Sequence, residues 1–269
     1  MGKDIHWFPG HMKKALIQIQ DRVKLVDCVI ELLDARSPLS SRNEYLFRVT
    51  EGKDRLVVLT KSDLADQNLT SLWVNYFSNL GYTVINVDLN NQKDVKRLVD
   101  VASKCGTKKR EKEARRGMKP QPIRAMIVGI PNVGKSSLIN RLAKRKAAGV
   151  QNKPGYTRGE QWIKVNTDYV LLDTPGILPM SYDNQEKASN LALLGSIRED
   201  ILPKTELVQY FLKLLNAKYP DSLKERYEKA RPLFMFFDPD NKENIVKNMD
   251  EVVQTLDAYN NLQENYTTI

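Results

Sequence analysis

The chain has 269 residues, of which 41% are hydrophobic and 28% charged, with a net charge of +9. That length allows one large domain or two smaller ones, in the composition of an ordinary soluble globular protein. No apolar run approaches the roughly 18 residues of a membrane span, and two isolated cysteines, Cys28 and Cys105, support neither a disulfide framework nor a zinc site.

In chain order, Met1 to Met12 holds no signal-like apolar stretch and no Arg/Ser-rich leader, so a cytoplasmic protein is expected. His11 to Leu25 predicts an amphipathic helix, with Met12, Ala15, Leu16, Ile19 and Val23 on one face and Lys13, Lys14, Arg22 and Lys24 on the other. Val26 to Leu33 is an apolar run broken by Glu31, like a buried parallel strand with Cys28 as a small core residue. Arg55 to Leu59 predicts a second strand, Asp66 to Leu80 a helix stopped by Gly81, Tyr82 to Val87 a third strand and Gln92 to Lys104 another helix. Strands alternating with helices imply a parallel α/β sheet.

A composition break follows. Lys108, Lys109, Arg110, Lys112, Arg115, Arg116 and Lys119 stand against only Glu111 and Glu113. The segment is either a solvated helix or linker, or a contact to RNA phosphates. The basic balance of the whole chain favours polyanionic partners, nucleic acid above all. Strand character resumes over Ile123 to Gly129, a helix follows over Ser136 to Lys144, and Gln161 to Val165 with Tyr169 to Leu172 reads as a hairpin. From Asn190 onward the pattern is mostly helical, broken at Pro203, Pro220, Pro232 and Pro239. The expected division is an α/β domain over 1–181 and a smaller all-helical domain over 182–269.

Gly129-Ile-Pro-Asn-Val-Gly-Lys-Ser136 fits the pattern G-x-x-x-x-G-K-[ST], with an apolar strand before it and a helix after it. Such a loop wraps phosphates without Cβ clashes, and the helix behind it points N–H groups at the anion. Asn132, Val133, Gly134 and Ser137 belong to this cradle; Lys135 reaches the β- and γ-phosphates and Ser136 ligates Mg²⁺. Asp173-Thr-Pro-Gly176 at a strand end offers a carboxylate to Mg²⁺ and, at Gly176, an N–H to the γ-phosphate. Thr157 lies between the two, in a Pro-Gly segment suited to a switch that orders when the γ-phosphate is present, its hydroxyl joining the Mg²⁺ shell. Thr60-Lys-Ser-Asp63 follows the second strand. The Asp63 carboxylate can accept from N1–H and the exocyclic amine of guanine, a pair that adenine cannot present, while the Lys61 stem covers the base. Thr60 and Ser62 complete that loop, and the region around Asn86 to Leu89 is assigned to the guanine edge.

The order of these motifs is unusual, because the guanine-reading motif precedes the P-loop. Together with Trp7-Phe-Pro-Gly-His-Met12, Asp34-Ala-Arg36 and Ser41-Arg-Asn43, it resembles the circularly permuted ribosome-assembly GTPases of the YlqF/RbgA type. The resemblance spans about residues 5 to 230. It implies a circularly permuted Ras-like P-loop G domain with a helical, RNA-binding C-terminal domain. It also implies a role in late assembly of the large ribosomal subunit, and GTPase activity stimulated by that subunit and its rRNA. Ile177 occupies the position where ordinary G proteins carry a water-orienting Gln. The family's substitute would be His11, swinging to the γ-phosphate; otherwise His11 is a helix-start residue facing RNA or solvent. Asn132 is a candidate K⁺ ligand or a plain loop-structuring residue. The protein is thus expected to be a monomeric, cytoplasmic GTPase using GTP, Mg²⁺ and K⁺. The alternatives are a non-catalytic, GTP-gated RNA-binding scaffold, which Ile177 favours, and a P-loop ATPase, which Asp63 opposes. The acidic, polar tail Arg231 to Ile269 departs from the basic, glycine-containing stretches usual in that family.

Overall fold

Seven consecutive buried residues, Cys28–Asp34, form β1 at the middle of a sheet. A strand covered on both faces cannot alternate apolar with polar, which is why this one reads as an apolar run interrupted only at Glu31 before its terminal Asp34. The computed structural model describes residues 10–143, 161–165, 167–179, 185–197 and 202–221. Its other strands are β2 (Asp54–Thr60), β3 (Thr83–Val87), β4 (Ile123–Gly129), β5 (Gln161–Lys164) and β6 (Tyr169–Asp173), in the order β3-β2-β1-β4-β6-β5. All neighbours are parallel except the β5/β6 pair. The chain first lays β1, β2 and β3 outward in one direction. It then returns to set β4 on the free side of β1, places β5 at the far edge and fills the gap between them with β6. Adjacent strands whose connections depart in opposite directions leave a crevice at their carboxyl ends, where α/β sheets bind ligands.

The helices are α1 (Gly10–Arg22), α2 (Pro38–Ser41), α3 (Glu44–Val49), α4 (Gln67–Asn79), α5 (Gln92–Ser103), α6 (Thr107–Arg115), α7 (Lys135–Leu142), α8 (Gln185–Leu193) and α9 (Lys204–Lys218). On α1, Met12, Ala15, Leu16 and Ile19 are buried and Lys13 and Lys14 exposed, as the spacing predicts. Three helices start where a side chain accepts orphan backbone N–H groups: Asn43 on α3, Asp66 on α4 and Asn91 on α5. Cys28 is fully buried, its sulfur 3.7 Å from the Tyr169 hydroxyl, and both cysteines are free.

Two charges inside the sheet explain the break at Glu31. Arg55 Nη1 donates to Glu31 Oε2 at 2.6 Å, Arg55 Nη2 donates to Thr50 Oγ1 at 2.7 Å, and both residues are buried. A buried carboxylate survives there because it is paired and hydrogen-bonded. The Arg42 guanidinium lies 4.4 Å from the Phe47 ring centroid, and Arg42 Nε is 3.8 Å from the same carboxylate.

The basic segment is a folded helix rather than a linker. Lys108 pairs with Asp54 at 2.7 Å, Lys109 with Asp27 at 3.0 Å and Arg110 with Glu113 at 3.2 Å, while the backbone N–H of Gln121 donates to Glu113 Oε1. Glu113 is buried, so the helix docks through its carboxylate.

The chain divides into two compact units, Met1–Arg198 and Glu199–Ile269. α8 lies in the first, where Asn190 Nδ2 donates to Ser40 Oγ at 3.0 Å and Ala188, Leu191 and Ala192 are buried. Within the second unit, α9 is preceded by Pro203, and Leu202 and Leu212 are buried. No described helix is long and apolar enough to cross a membrane.

Candidate functional site

Parallel register brings the carboxyl ends of β1, β2, β4 and β6 to one edge. Asp34 pairs with Thr60, Leu32 with Gly129, and Ile127 with Asp173. The four segments leaving these ends carry the motifs.

The loop after β4 turns through Asn132 (φ 57°) and Gly134 (φ 104°) into α7. A left-handed residue at the helix start frees N–H groups for an anion, and glycine adopts that conformation without strain. Ser136 and Ser137 sit half-buried in the first turn of α7, and the Val133 side chain is buried. Lys135 folds back over the loop, with Nζ donating to Ile130 O at 2.7 Å and to Gly129 O at 3.2 Å. Burial pushes its pKa down to about 8 despite the opposing pull of Asp173. A cation held only by carbonyl dipoles is a receptor for phosphate oxygens.

Asp173, at the end of β6, is 1% exposed, and its Oδ1 has no hydrogen-bond partner among the described residues. Burial raises its pKa to about 6, against the Lys135 charge and a bond from the Thr174 backbone. A buried carboxylate oxygen with nothing to accept from is a fitting ligand for a hard cation. Among the described residues no group of three or more His, Cys, Asp or Glu gathers around a possible metal. One carboxylate with a serine hydroxyl suits Mg²⁺, which keeps waters and shares substrate phosphates, and does not suit an all-protein metal cage.

Gly176 is where the two motifs touch. A Cβ added there would meet Pro131 N and Cα at 2.7 Å and Lys135 Nζ at 2.9 Å. Ile177 N–H donates to Gly129 O at 3.2 Å, and Asn43 Nδ2 donates to Ile177 O at 3.0 Å. The Ile177 side chain is fully buried, so the position usual for a water-orienting glutamine faces the core.

The β2 end meets this cradle through Thr60, whose Oγ1 contacts Val133 O at 2.7 Å and Leu33 O at 3.2 Å. Lys61 follows in a left-handed conformation (φ 57°), with Nζ 3.2 Å from Asp34 Oδ2. Asp34 is itself clamped by Arg36, through Nε at 2.9 Å and Nη2 at 2.8 Å. Burial would raise the Asp34 pKa, but the bonds from Arg36 and the charges of Lys61 and Arg36 outweigh it and hold the carboxyl below its ordinary value. Sequence reasoning gave Asp34 no role at the site; its signal was a carboxylate at a strand end two residues before an arginine. Ser62 is buried, with its carbonyl accepting from Gln67 Nε2 at 2.6 Å, while Asp63 stands exposed in the short 3₁₀ turn Ser62–Leu64.

Asn86 lies within β3, its carbonyl accepting from Arg97 Nη2 at 2.5 Å. The following loop is what reaches the cradle: Leu89 Cδ1 lies 3.5 Å from where a Cβ on Gly134 would be, and Arg141 Nη2 donates to Asn90 Oδ1 at 3.2 Å. Of the region Asn86 to Leu89 assigned to the guanine edge, Leu89 makes the first of these contacts, and Asn90, one residue beyond it, makes the second. Asn132 Nδ2 donates to Gly195 O at 2.6 Å, tying the loop to the turn after α8. Thr157 and the His11 side chain lie outside the described residues; the backbone of residue 11 is in the first turn of α1.

These charges predict a pH dependence. Between about pH 6 and about pH 8 both Asp173 and Lys135 are ionised in the free protein. Below that window Asp173 takes a proton and loses its hold on a cation; above it Lys135 loses the charge that meets phosphate. Affinity for a Mg²⁺-phosphate ligand should therefore plateau inside the window and fall up to about tenfold per pH unit on either side. Equilibrium titration with a fluorescent nucleotide from pH 5 to 9 checks this, and a flat profile would contradict it.

The family model described as 50S ribosome-binding GTPase matches residues 124–260. Ribosome biogenesis GTPase A of Bacillus cereus is 45% identical over 223 residues, covering 83% of this chain and 75% of that protein. Mitochondrial ribosome-associated GTPase 1 of Xenopus tropicalis is 34% identical over 240 residues, covering 84% of this chain and 75% of its own. Among solved structures, GNP-bound YlqF from T. maritima matches with a TM-score of 0.57 at 26% identity, over 90% of this chain and 94% of that one.

Proposed function

The chain belongs to the ribosome biogenesis GTPase A family, with a circularly permuted G domain, and from that premise we propose that it is a slow GTP switch in late assembly of the large ribosomal subunit. It is a GTPase, cleaving GTP to GDP and phosphate. The observation that carries the residue assignments is the close approach of Gly176 to Lys135 at the strand edge where Asp173 ends β6, with a buried Asp173 oxygen left unpartnered among the described residues.

Guanine lies against Lys61 and is read by Asp63, the phosphates lie on the loop from Asn132 to Ser137, and Lys135 meets the β- and γ-oxygens. Mg²⁺ is held by Ser136, Asp173 and, with the γ-phosphate present, Thr157. When bound, it neutralises charge developing on the transferred phosphoryl group. Gly176 lies against Pro131 and Lys135 in this structure. A γ-phosphate at Lys135 competes for that space, so the segment after β6 moves with the nucleotide state. His11 is proposed to position the attacking water, since Ile177 is buried. K⁺ is proposed beside Asn132, whose amide is oriented by its bond to Gly195. Of the expected helical domain 182–269, α8 belongs to the first compact unit, and the part after Arg198 is proposed to bind rRNA; the protein is proposed to act as a cytoplasmic monomer.

The test is the hydrolysis rate in K⁺ and Na⁺ buffers, with and without purified large subunits, for the wild type and His11→Ala. Stimulation by subunits is expected. His11→Ala should lose at least about tenfold in the stimulated rate with little change in GTP affinity. An unstimulated rate with tight GTP binding would favour the GTP-gated scaffold, which the buried Ile177 also fits.

A further inference from the structure

Edge strand β5 carries an aromatic side chain that the core does not use. Trp162 is 43% exposed, whereas Leu172, its partner across the β5/β6 ladder, is buried. On the same ladder Lys164 stands opposite Val170, and Val170 stands opposite Arg124 on β4. Residues in register share a face of the sheet, as do residues two apart on one strand. Trp162, Lys164 and Arg124 therefore project from one face at the outer margin. The Arg124 guanidinium lies 6.0 Å from the Trp162 ring centroid, and both Arg124 and Lys164 are exposed.

No carboxylate pairs with either cation among the described residues. Asp27 accepts instead from Lys109 Nζ at 3.0 Å and from the Arg124 backbone N–H at 2.8 Å. Asp168, in the β5/β6 turn, accepts from the Thr167 hydroxyl at 3.3 Å. The positive face continues along the chain. Four cations of the basic segment, Lys108, Lys109, Arg110 and Arg115, face carboxylates. Lys112, Arg116 and Lys119 are exposed and face none among the described residues, and the loop that carries Lys119 runs into β4, which holds Arg124.

We propose that this margin of the G domain is an RNA-binding surface, on which an unpaired base stacks on Trp162 while Arg124, Lys164, Arg116 and Lys119 take the flanking phosphates. A partly exposed indole beside a guanidinium gives stacking and cation–π attraction to any base, and a base inside a duplex cannot offer its face. A protein partner would bury such a tryptophan among other apolar groups, whereas here cations flank it. The proposal rests on the reading that the protein works on an RNA-containing particle. It adds a site in the first compact unit, separate from the helical C-terminal part.

The test uses the full chain with a non-hydrolysable GTP analogue and two labelled probes, an unstructured single-stranded RNA of about ten nucleotides and a blunt RNA duplex, read by fluorescence anisotropy. Trp162→Leu should weaken single-strand binding by about tenfold or more, and Trp162→Phe, which keeps a ring, should restore most of it. Arg124→Gln and Lys164→Gln should each reduce the log–log salt slope by about 0.7. Single-strand affinity unchanged in Trp162→Leu overturns the proposal. So does loss of co-sedimentation with large subunits while oligonucleotide binding is intact, which would assign the face to a protein. A wild type that binds the oligonucleotide but not the subunits would sink the ribosomal reading and leave this surface standing.

Discussion

Replacing Lys135 with methionine is expected to lower kcat/KM for GTP by about a thousandfold while leaving the nucleotide-free protein at least as stable as the wild type. The first effect follows from where the charge sits. Lys135 is 6% exposed, held by two loop carbonyls, and its pKa is pushed down to about 8 by burial. A phosphate arriving there meets a cation that water does not screen, and one such preorganised group is worth about two to three orders of magnitude in the transition state. Ground-state binding of the β- and γ-oxygens adds to that. The second effect follows from linkage. A lysine whose folded pKa lies below its ordinary value makes the folded state bind fewer protons than the unfolded one. The resulting penalty is fully present below about pH 8 and fades as pH rises toward the unfolded value. Methionine keeps the apolar stem and removes the penalty. Steady-state hydrolysis together with a thermal melt at pH 7 checks both parts. A variant within tenfold of wild-type activity, or one melting well below it, would contradict the assignment.

Asp63→Ala should weaken GTP binding by roughly 10²- to 10³-fold and leave ATP binding unchanged. The loss corresponds to two hydrogen bonds to a charged acceptor, each worth about 1.5–3 kcal/mol, reduced by the exposure of the site. The loop is built to hold the carboxylate outward. Thr60 is fastened to Val133, Lys61 takes a left-handed turn with its ammonium on Asp34, and Asp63 is left exposed in the next turn. Competition of labelled GTP by unlabelled GTP and ATP, in the wild type and the variant, gives the specificity ratio directly. A wild type that binds both nucleotides equally would remove the guanine role of Asp63.

Much of the sheet was legible in the sequence because buried parallel strands are continuous apolar runs, and such runs stand at β1 and β4 with glycine or charge at their ends. The phosphate loop was legible because its glycines and lysine have fixed spacing for a backbone reason. What could not be read was set by contacts between distant segments. Glu31 looked like a flaw in a strand until Arg55 was seen 2.6 Å from it, 24 residues away. The cations of α6 looked free, yet Asp54 and Asp27 neutralise two of them. The short helices α2 and α3 have too few turns to show a period. Asn43 stands in a motif of the family resemblance, but nothing in the sequence shows that it caps α3 and bonds the Ile177 carbonyl. Asp34 gained its role through Lys61, a partner that only the β1/β2 register brings alongside.

The strand order also makes the G domain a pair of half-sheets, each written in one unbroken stretch of chain. One half, β1 to β3, holds the base reader; the other, β4 to β6, holds the phosphate grip. Their backbones join along a single seam, the five-residue ladder from Cys28–Ala125 to Leu32–Gly129. Bridging side chains such as Thr60 to Val133 and Arg141 to Asn90 reinforce it. On the site proposed above, a guanine nucleotide would lie across that seam and work as a rivet, its base on one half and its phosphates on the other. Cutting the chain in the exposed loop at Gly117 should therefore leave two complementary pieces whose reassembly depends on GTP, a bipartite behaviour that an unpermuted G domain, with its base reader and phosphate grip in the opposite order, would have to achieve with a different cut.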